Sequence, residues 1–281
     1  ELRQVENGEQ RELDLSNQRA SMIDESLKTT DERIDLESDK SDKQKVSEPS
    51  VPHGVQHELA VGAGAGFEQY ETMGAGSITL PMKQSRLLLE GSYHLQLDQS
   101  QWGAYVAAKR WSTQFSDVLG AVPSRSQAVT WQYQGGTKYL ISPLVGIRFG
   151  YFYQTRKADE TRPVIISTIS RHGPEIGMDI SLRLPENFVF VPHAQLQVPI
   201  FFKERSASSG GHVLTVIGQV GLGIRYEISR YVDIGFMPWV RYESARFTGD
   251  SARGFSDANE RNLTVGLPLQ LIVKIGESHE K

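Results

Sequence analysis

Proton-transfer chemistry near neutral pH calls first for histidine, and the chain has seven: His53, His57, His94, His172, His193, His212 and His279. A hydrolytic site needs such a ring beside a carboxylate or an activated hydroxyl. His172 and His212 fall beside long polar connections, where Asp250 and Asp257 could join them. Yet no Asp-Asp pair, no Asp-x-His spacing and no Gly-x-Ser-x-Gly nucleophile elbow occurs. The absence of cysteine excludes thiolate nucleophiles, disulfides and Fe–S ligation. No His/Asp/Glu cluster has metal-ligand spacing. Gly62-Ala-Gly-Ala-Gly66 lacks the lysine and following helix of a phosphate loop. The expectation is a protein that is not an enzyme, with no catalytic, cofactor or metal site.

The remaining chemistry lies in ionisable residues that recur at every second position. From Arg86 to Asp98, Leu87, Leu89, Gly91, Tyr93, Leu95 and Leu97 face one way, against Glu90, Ser92, His94 and Gln96. Leu214–Ile228 and Leu263–Ile275 repeat the alternation, which is that of a strand with two unlike faces. Ten such runs are predicted, at 56–69, 85–97, 101–113, 127–138, 143–156, 174–184, 187–202, 213–228, 231–246 and 261–275. Their connections alternate between short turns and longer polar stretches.

A sheet of this length has edges unless it closes. Many glycines share the polar face, including Gly62, Gly103, Gly150, Gly177, Gly221 and Gly235, as suits a crowded wet interior. Aromatics gather towards run ends at Tyr93, Trp102, Tyr153, Phe188, Phe202, Tyr226 and Tyr242. Both features favour a barrel with its apolar face outward. The acids expected inside are Glu58, Glu68, Glu90, Glu175, Asp179, Glu227, Asp233 and Glu243. The bases are Lys109, Arg148, Arg156, Arg183, Arg225, Arg241 and Lys274. A selective pore needs a constriction ring of one sign. Eight acids against seven bases instead predict ion pairs across the lumen, because an unpaired buried charge is costly. Arg225 with Asp233 or Glu227 is one such expected pair. His94 and His193 share this face. Arg125, Arg156, Lys157, Arg162, Arg171, Lys203 and Arg205 lie on or near the long-loop side, where they could meet lipid phosphates.

The first fifty residues differ in kind. They hold 14 acids and 8 bases, one glycine and none of the 11 Phe, 4 Trp and 10 Tyr. Alternating steps of three and four link Leu13, Ser16, Ala20, Ile23, Leu27, Thr30 and Ile34, the seam of a coiled coil with polar positions at Ser16 and Thr30. The expected organisation is a helical segment over 1–46, a Pro/Gly linker over 47–55, a barrel over 56–276 and a polar tail over 277–281. The same helix threading the lumen, against the inward arginines, is the alternative. A start at Glu1 rather than Met suggests a leader already removed.

Residues 56–275 resemble a Gram-negative outer-membrane β-barrel protein, through the opening Glu58-Leu-Ala-Val-Gly-Ala-Gly-Ala-Gly-Phe-Glu68 and the turn and strand of Tyr139–Tyr151. The last strand departs from that class by ending in Lys274-Ile-Gly276 rather than an aromatic residue. The resemblance implies an all-β, antiparallel up-and-down transmembrane barrel of about ten strands in the outer membrane. Both termini of the barrel, and the N-terminal segment with them, would face the periplasm. The expected function is a non-enzymatic, oligomeric envelope scaffold, its helix mediating self-assembly or docking a periplasmic partner. A narrow porin-like channel for small solutes or ions, and a rim enzyme acting on lipid or peptide, are the alternatives. Lipopolysaccharide and other outer-membrane lipids are the expected surroundings. Nothing suggests nucleic acid, since the net charge is −4.

Overall fold

The computed structural model describes residues 55–73, 78–97, 100–115, 126–158, 166–205, 209–250 and 256–276. The seam residues Leu13, Ser16, Ala20, Ile23, Leu27, Thr30 and Ile34 lie outside them, as do the segments 1–46 and 277–281. The described residues are all β. The strands are β1 (Gln56–Met73), β2 (Ile78–Gln96), β3 (Trp102–Phe115), β4 (Ser126–Ser142) and β5 (Val145–Ala158). They continue as β6 (Ile169–Ile180), β7 (Leu182–Arg183), β8 (Phe188–Gln197), β9 (Phe201–Glu204) and β10 (Gly211–Ser229). β11 (Val232–Phe236), β12 (Trp239–Thr248) and β13 (Asn259–Ile275) complete the set.

These thirteen strands make about ten runs, because three runs are interrupted. Two interruptions fall at prolines, which have no N–H to give a ladder. Pro199 separates β8 from β9, and Pro238 separates β11 from β12. The ladder resumes at once on either side. Val198 N donates to Pro174 O at 3.1 Å, Ile200 N to His172 O at 3.0 Å, and Met237 N to Pro268 O at 3.1 Å. The third falls at Ser181, between β6 and β7, where Ser181 N donates to Leu144 O at 2.7 Å.

Every pairing is antiparallel, and the sheet closes on itself. β1 pairs β2 on one side and β13 on the other, with His57 opposite Ile275 at one end and Met73 opposite Asn259 at the other. β8 pairs both β6 and β10 up to Gln197, and β9, beyond the proline, continues the pairing with β6. Closure of this kind is how strands meet their backbone hydrogen-bonding needs in hydrocarbon.

The two faces are sorted as the alternation predicts, apolar out. Leu59, Val61, Val106, Val220, Leu222, Leu269 and Leu271 are exposed. Glu68, Gln132, Gln154, Arg171, Arg241 and Glu243 are buried. This is the inverse of a water-soluble protein and the pattern of a membrane-spanning barrel. The bore is crowded enough to need missing side chains. A Cβ on Gly266 would run into the Trp239 indole, and one on Gly221 into the His193 ring. Small apolar clusters sit among the polar groups, one of Leu88, Trp111 and Trp239, another of Val189, Val191 and Met237.

Arg183 pairs with the buried Val189 and so keeps the expected inward parity, though it is exposed on the two-residue β7 at the short-turn end. Two expectations are corrected. Phe202 faces inward, packed on Ala245, Phe247 and Ala258, rather than joining an outer girdle. Arg171 is fully buried rather than on the rim. β6 begins at Ile169, earlier than the run at 174–184, so Arg171 shares the inward parity of Gly173 and Glu175.

Candidate functional site

The interior is a stack of polar ties, most of them joining strands that are not neighbours. Towards the long connections, Arg171 on β6 makes a two-pronged bond to Glu243 on β12, at 2.5 Å from each nitrogen. Arg156 on β5 stands 3.6 Å from the same carboxylate and lies over the Tyr70 ring at 5.7 Å. Glu68 accepts from Asn262 at 2.6 Å and from Thr113. Nearer the rim, Ser209 Oγ lies 2.7 Å from both Glu204 and Glu260.

The middle of the bore is built on carboxamides and indoles. Arg241 on β12 donates to Gln132 on β4 and Gln154 on β5, straight across the ring. Its guanidinium lies 5.7 Å over Trp111, which meets Trp239 edge-on at 6.3 Å. Lys109 sits 5.0 Å over Trp239 and 3.4 Å from the Gln219 carbonyl, and stands opposite Glu90 across the β2–β3 pair. Gln195 and Gln197 donate to Glu175 at 2.6 and 2.8 Å, and Tyr105 donates to it at 2.5 Å. Gln195 also reaches Gln134 at 3.1 Å, and Gln132 donates to Gln134 at 3.0 Å. Gln270 donates to Glu90.

Towards the short turns the ties are ion pairs. Asp179 takes Lys138 at 2.6 Å and Arg148 at 3.0 Å. Lys274 holds Asp233 at 2.7 Å and Glu227 at 3.1 Å. Arg225 bonds Glu58 at 3.0 Å, not the expected Asp233 or Glu227, because Lys274 on β13 occupies those two. Of the network expected from sequence, Glu90, Lys109, Arg148, Glu175, Asp179, Arg225, Glu227, Asp233, Arg241, Glu243 and Lys274 all point inward; Arg183, opposite Val189, shares that parity but is exposed at the short-turn end. They do not converge on one point. They form tiers along the bore.

Among the described residues, His94, His172 and His212 do not come together in a hydrolytic constellation. His94 stacks on Tyr105 at 6.1 Å inside the bore. His212 bonds Thr215 at 2.8 Å and stacks on Phe202 at 4.3 Å. His172 faces outward and bonds the Tyr151 hydroxyl, while Ser170 donates to Tyr153 at 3.2 Å rather than to His172. Among the described residues no three His, Asp or Glu side chains are grouped to hold a metal.

No protein-family model matches the chain, and no curated protein matches it in sequence. Solved structures with related architecture include the outer membrane protease OmpT from Escherichia coli. It is 11% identical, with 80% of this chain and 97% of that one covered and a TM-score of 0.45. The P. putida toluene transporter TodX is 8% identical over 80% and 91% of the two chains, with a TM-score of 0.34. Ail, the attachment invasion locus protein of Yersinia pestis, is 11% identical over 78% and 99%, with a TM-score of 0.29. The structural neighbours are Gram-negative outer-membrane β-barrels. Likeness at this level names no function.

Sequence reasoning passed over the neutral half of the site. Gln132, Gln134, Gln154, Gln195, Gln197, Trp111 and Trp239 were not singled out, though the period-two alternation puts each on the inward face. The signal was there, but a search restricted to ionisable groups discards it. Arg241 shows why the neutral groups matter. Its guanidinium is matched by amide carbonyls and an indole face rather than by a directly bonded carboxylate.

Proposed function

We propose that this chain is a non-conducting outer-membrane anchor. Its barrel is a fixed polar core, and residues 1–46 gather copies or dock a periplasmic partner through the Leu13–Ile34 seam. The observation that carries this reading is the Arg241 tie from β12 to β4 and β5, which crosses the bore at mid-height with Trp111 and Trp239 packed against it. An aqueous path needs a continuous wet channel, and side chains bonded from wall to wall leave ions no room to pass. The outward apolar wall and the closed ring support placement in a membrane.

Conductance across planar bilayers tests it. The full chain should insert without a steady conductance, and Arg241→Ala combined with Trp239→Ala should open a small one. A steady conductance from the unaltered chain overturns the anchor and makes the narrow channel the better reading. For the assembly part, light scattering of the full chain should give a multimer, and a chain starting at Val55 a monomer. A monomer from both removes the scaffold.

A further inference from the structure

The outer wall is not the same all the way round. Two adjacent rows of outward side chains run sideways across β3, β4, β5, β6 and β9. The lower row is Ala108, Tyr133, Tyr153, His172 and Phe201, each facing the next across a strand pair or, for the last, across β6–β9. Its rings form a ladder. Tyr133 and Tyr153 stack at 6.5 Å, Tyr153 and His172 at 6.5 Å, and His172 and Phe201 at 4.7 Å. The row above, one step nearer the long connections, is Arg110, Trp131, Thr155, Ser170 and Lys203. Arg110 lies 5.3 Å over the Trp131 ring, and Trp131 is parallel to Tyr133 below it at 6.2 Å. Lys157 is exposed one step higher still on β5.

Charge on this wall has one sign. Among the described residues the outward positions of β3, β4, β5, β6 and β9 carry Arg110, Lys157 and Lys203 and no carboxylate. In a membrane the aromatic row marks the boundary of the hydrocarbon, so the row above it stands at headgroup level. That row has a cation at each end and an indole and two hydroxyls between. Four strand steps put the Cα atoms of Arg110 and Lys203 about 19 Å apart. The two cations thus bracket the indole and the two hydroxyls from either end of the row. Flat rings take sugar faces, hydroxyls take sugar hydroxyls, and the two cations take anionic groups at the ends.

We propose that this wall binds the phosphorylated saccharide headgroup of an acylated glycolipid, of the lipopolysaccharide type. Arg110 and Lys203 hold phosphates, with Lys157 adding charge from above. Trp131, Thr155 and Ser170 lie against the sugar, and the acyl chains run down the Tyr133–Phe201 row. The proposal rests on the outer-membrane reading of the barrel.

The test uses the full chain reconstituted in phosphatidylcholine vesicles and titrated with lipopolysaccharide, binding being followed by tryptophan fluorescence. The triple variant Arg110→Gln, Lys157→Gln, Lys203→Gln should bind about a hundredfold more weakly, from the usual worth of a basic residue at an anionic surface. Arg246→Gln with Arg261→Gln, exposed on β12 and β13, should leave binding nearly unchanged. Dephosphorylated lipopolysaccharide should bind the unaltered chain as weakly as the intact lipid binds the triple variant. Equal losses in both variants mean diffuse attraction and overturn the site. Inorganic phosphate binding as tightly as the lipid overturns the headgroup. A dimer in light scattering that the triple variant abolishes assigns the wall to a second copy, and overturns it too. A triple variant that inserts and binds like the parent sinks this inference alone, whereas an unaltered chain that never enters vesicles sinks the outer-membrane reading.

Discussion

Replacing Glu243 by glutamine removes the carboxylate that both Arg171 and Arg156 address. Arg171 is 0% exposed and Glu243 5%, so bulk water screens the pair very little. Taking one partner from a buried pair leaves an uncompensated charge and costs about 3–5 kcal/mol. Glutamine keeps one carbonyl for Arg171, which favours the lower end, about 3 kcal/mol. The repulsive surroundings act the other way, because the buried Arg241 stands on the same strand with the same inward parity. Urea unfolding in phosphatidylcholine vesicles, read by tryptophan fluorescence, measures the loss directly. Trp111 and Trp239 report the bore, and Trp102 and Trp131 the wall. Arg171→Met in the Glu243→Met background should then cost far less than Arg171→Met alone, with a coupling of roughly 2 kcal/mol or more in the double-mutant cycle. A loss below about 0.5 kcal/mol for Glu243→Gln, as at an exposed site, would refute the claim that the tie is dry and structural.

Gly266→Ala should cost about 1–3 kcal/mol by overpacking and shift the tryptophan emission, since the new methyl group meets the Trp239 indole; unchanged emission and stability would mean the bore has slack there. Val220→Arg, at the centre of the outward face of β10, should cost about 2–4 kcal/mol in lipid, against about 0–1 for Thr248→Arg at the end of β12. Equal costs at the two positions would contradict an apolar band.

Closure of the sheet brings together groups that lie far apart in the chain. Arg241 meets Gln132 109 residues away, and Arg225 meets Glu58 167 away. Each such tie constrains the barrel across its width, where backbone ladders constrain it only along the wall. Strand pairing around a ring is local in sequence except at the β1–β13 seam, so the ties supply the long-range part of the structure.

What the sequence by itself determined is the division into runs and the face each side chain takes. Period two is a property of the extended backbone, so the inward placement of Glu90, Lys109, Asp179 and Lys274 follows from counting. The inward glycines followed in the same way. Run boundaries were less legible: β6 begins at Ile169 because its pairing with β5 and β9 extends the ladder past the apolar stretch, and that extension buried Arg171. Partner choice was not legible at all. Which carboxylate Arg225 takes, whether Glu243 serves one arginine or two, and how Arg241 is matched by glutamines all depend on which walls face one another and at what height. Those are set by closure and register, which are properties of the whole ring. The sideways row from Arg110 to Lys203 has the same origin: its members come from five strands, and only the register places them side by side.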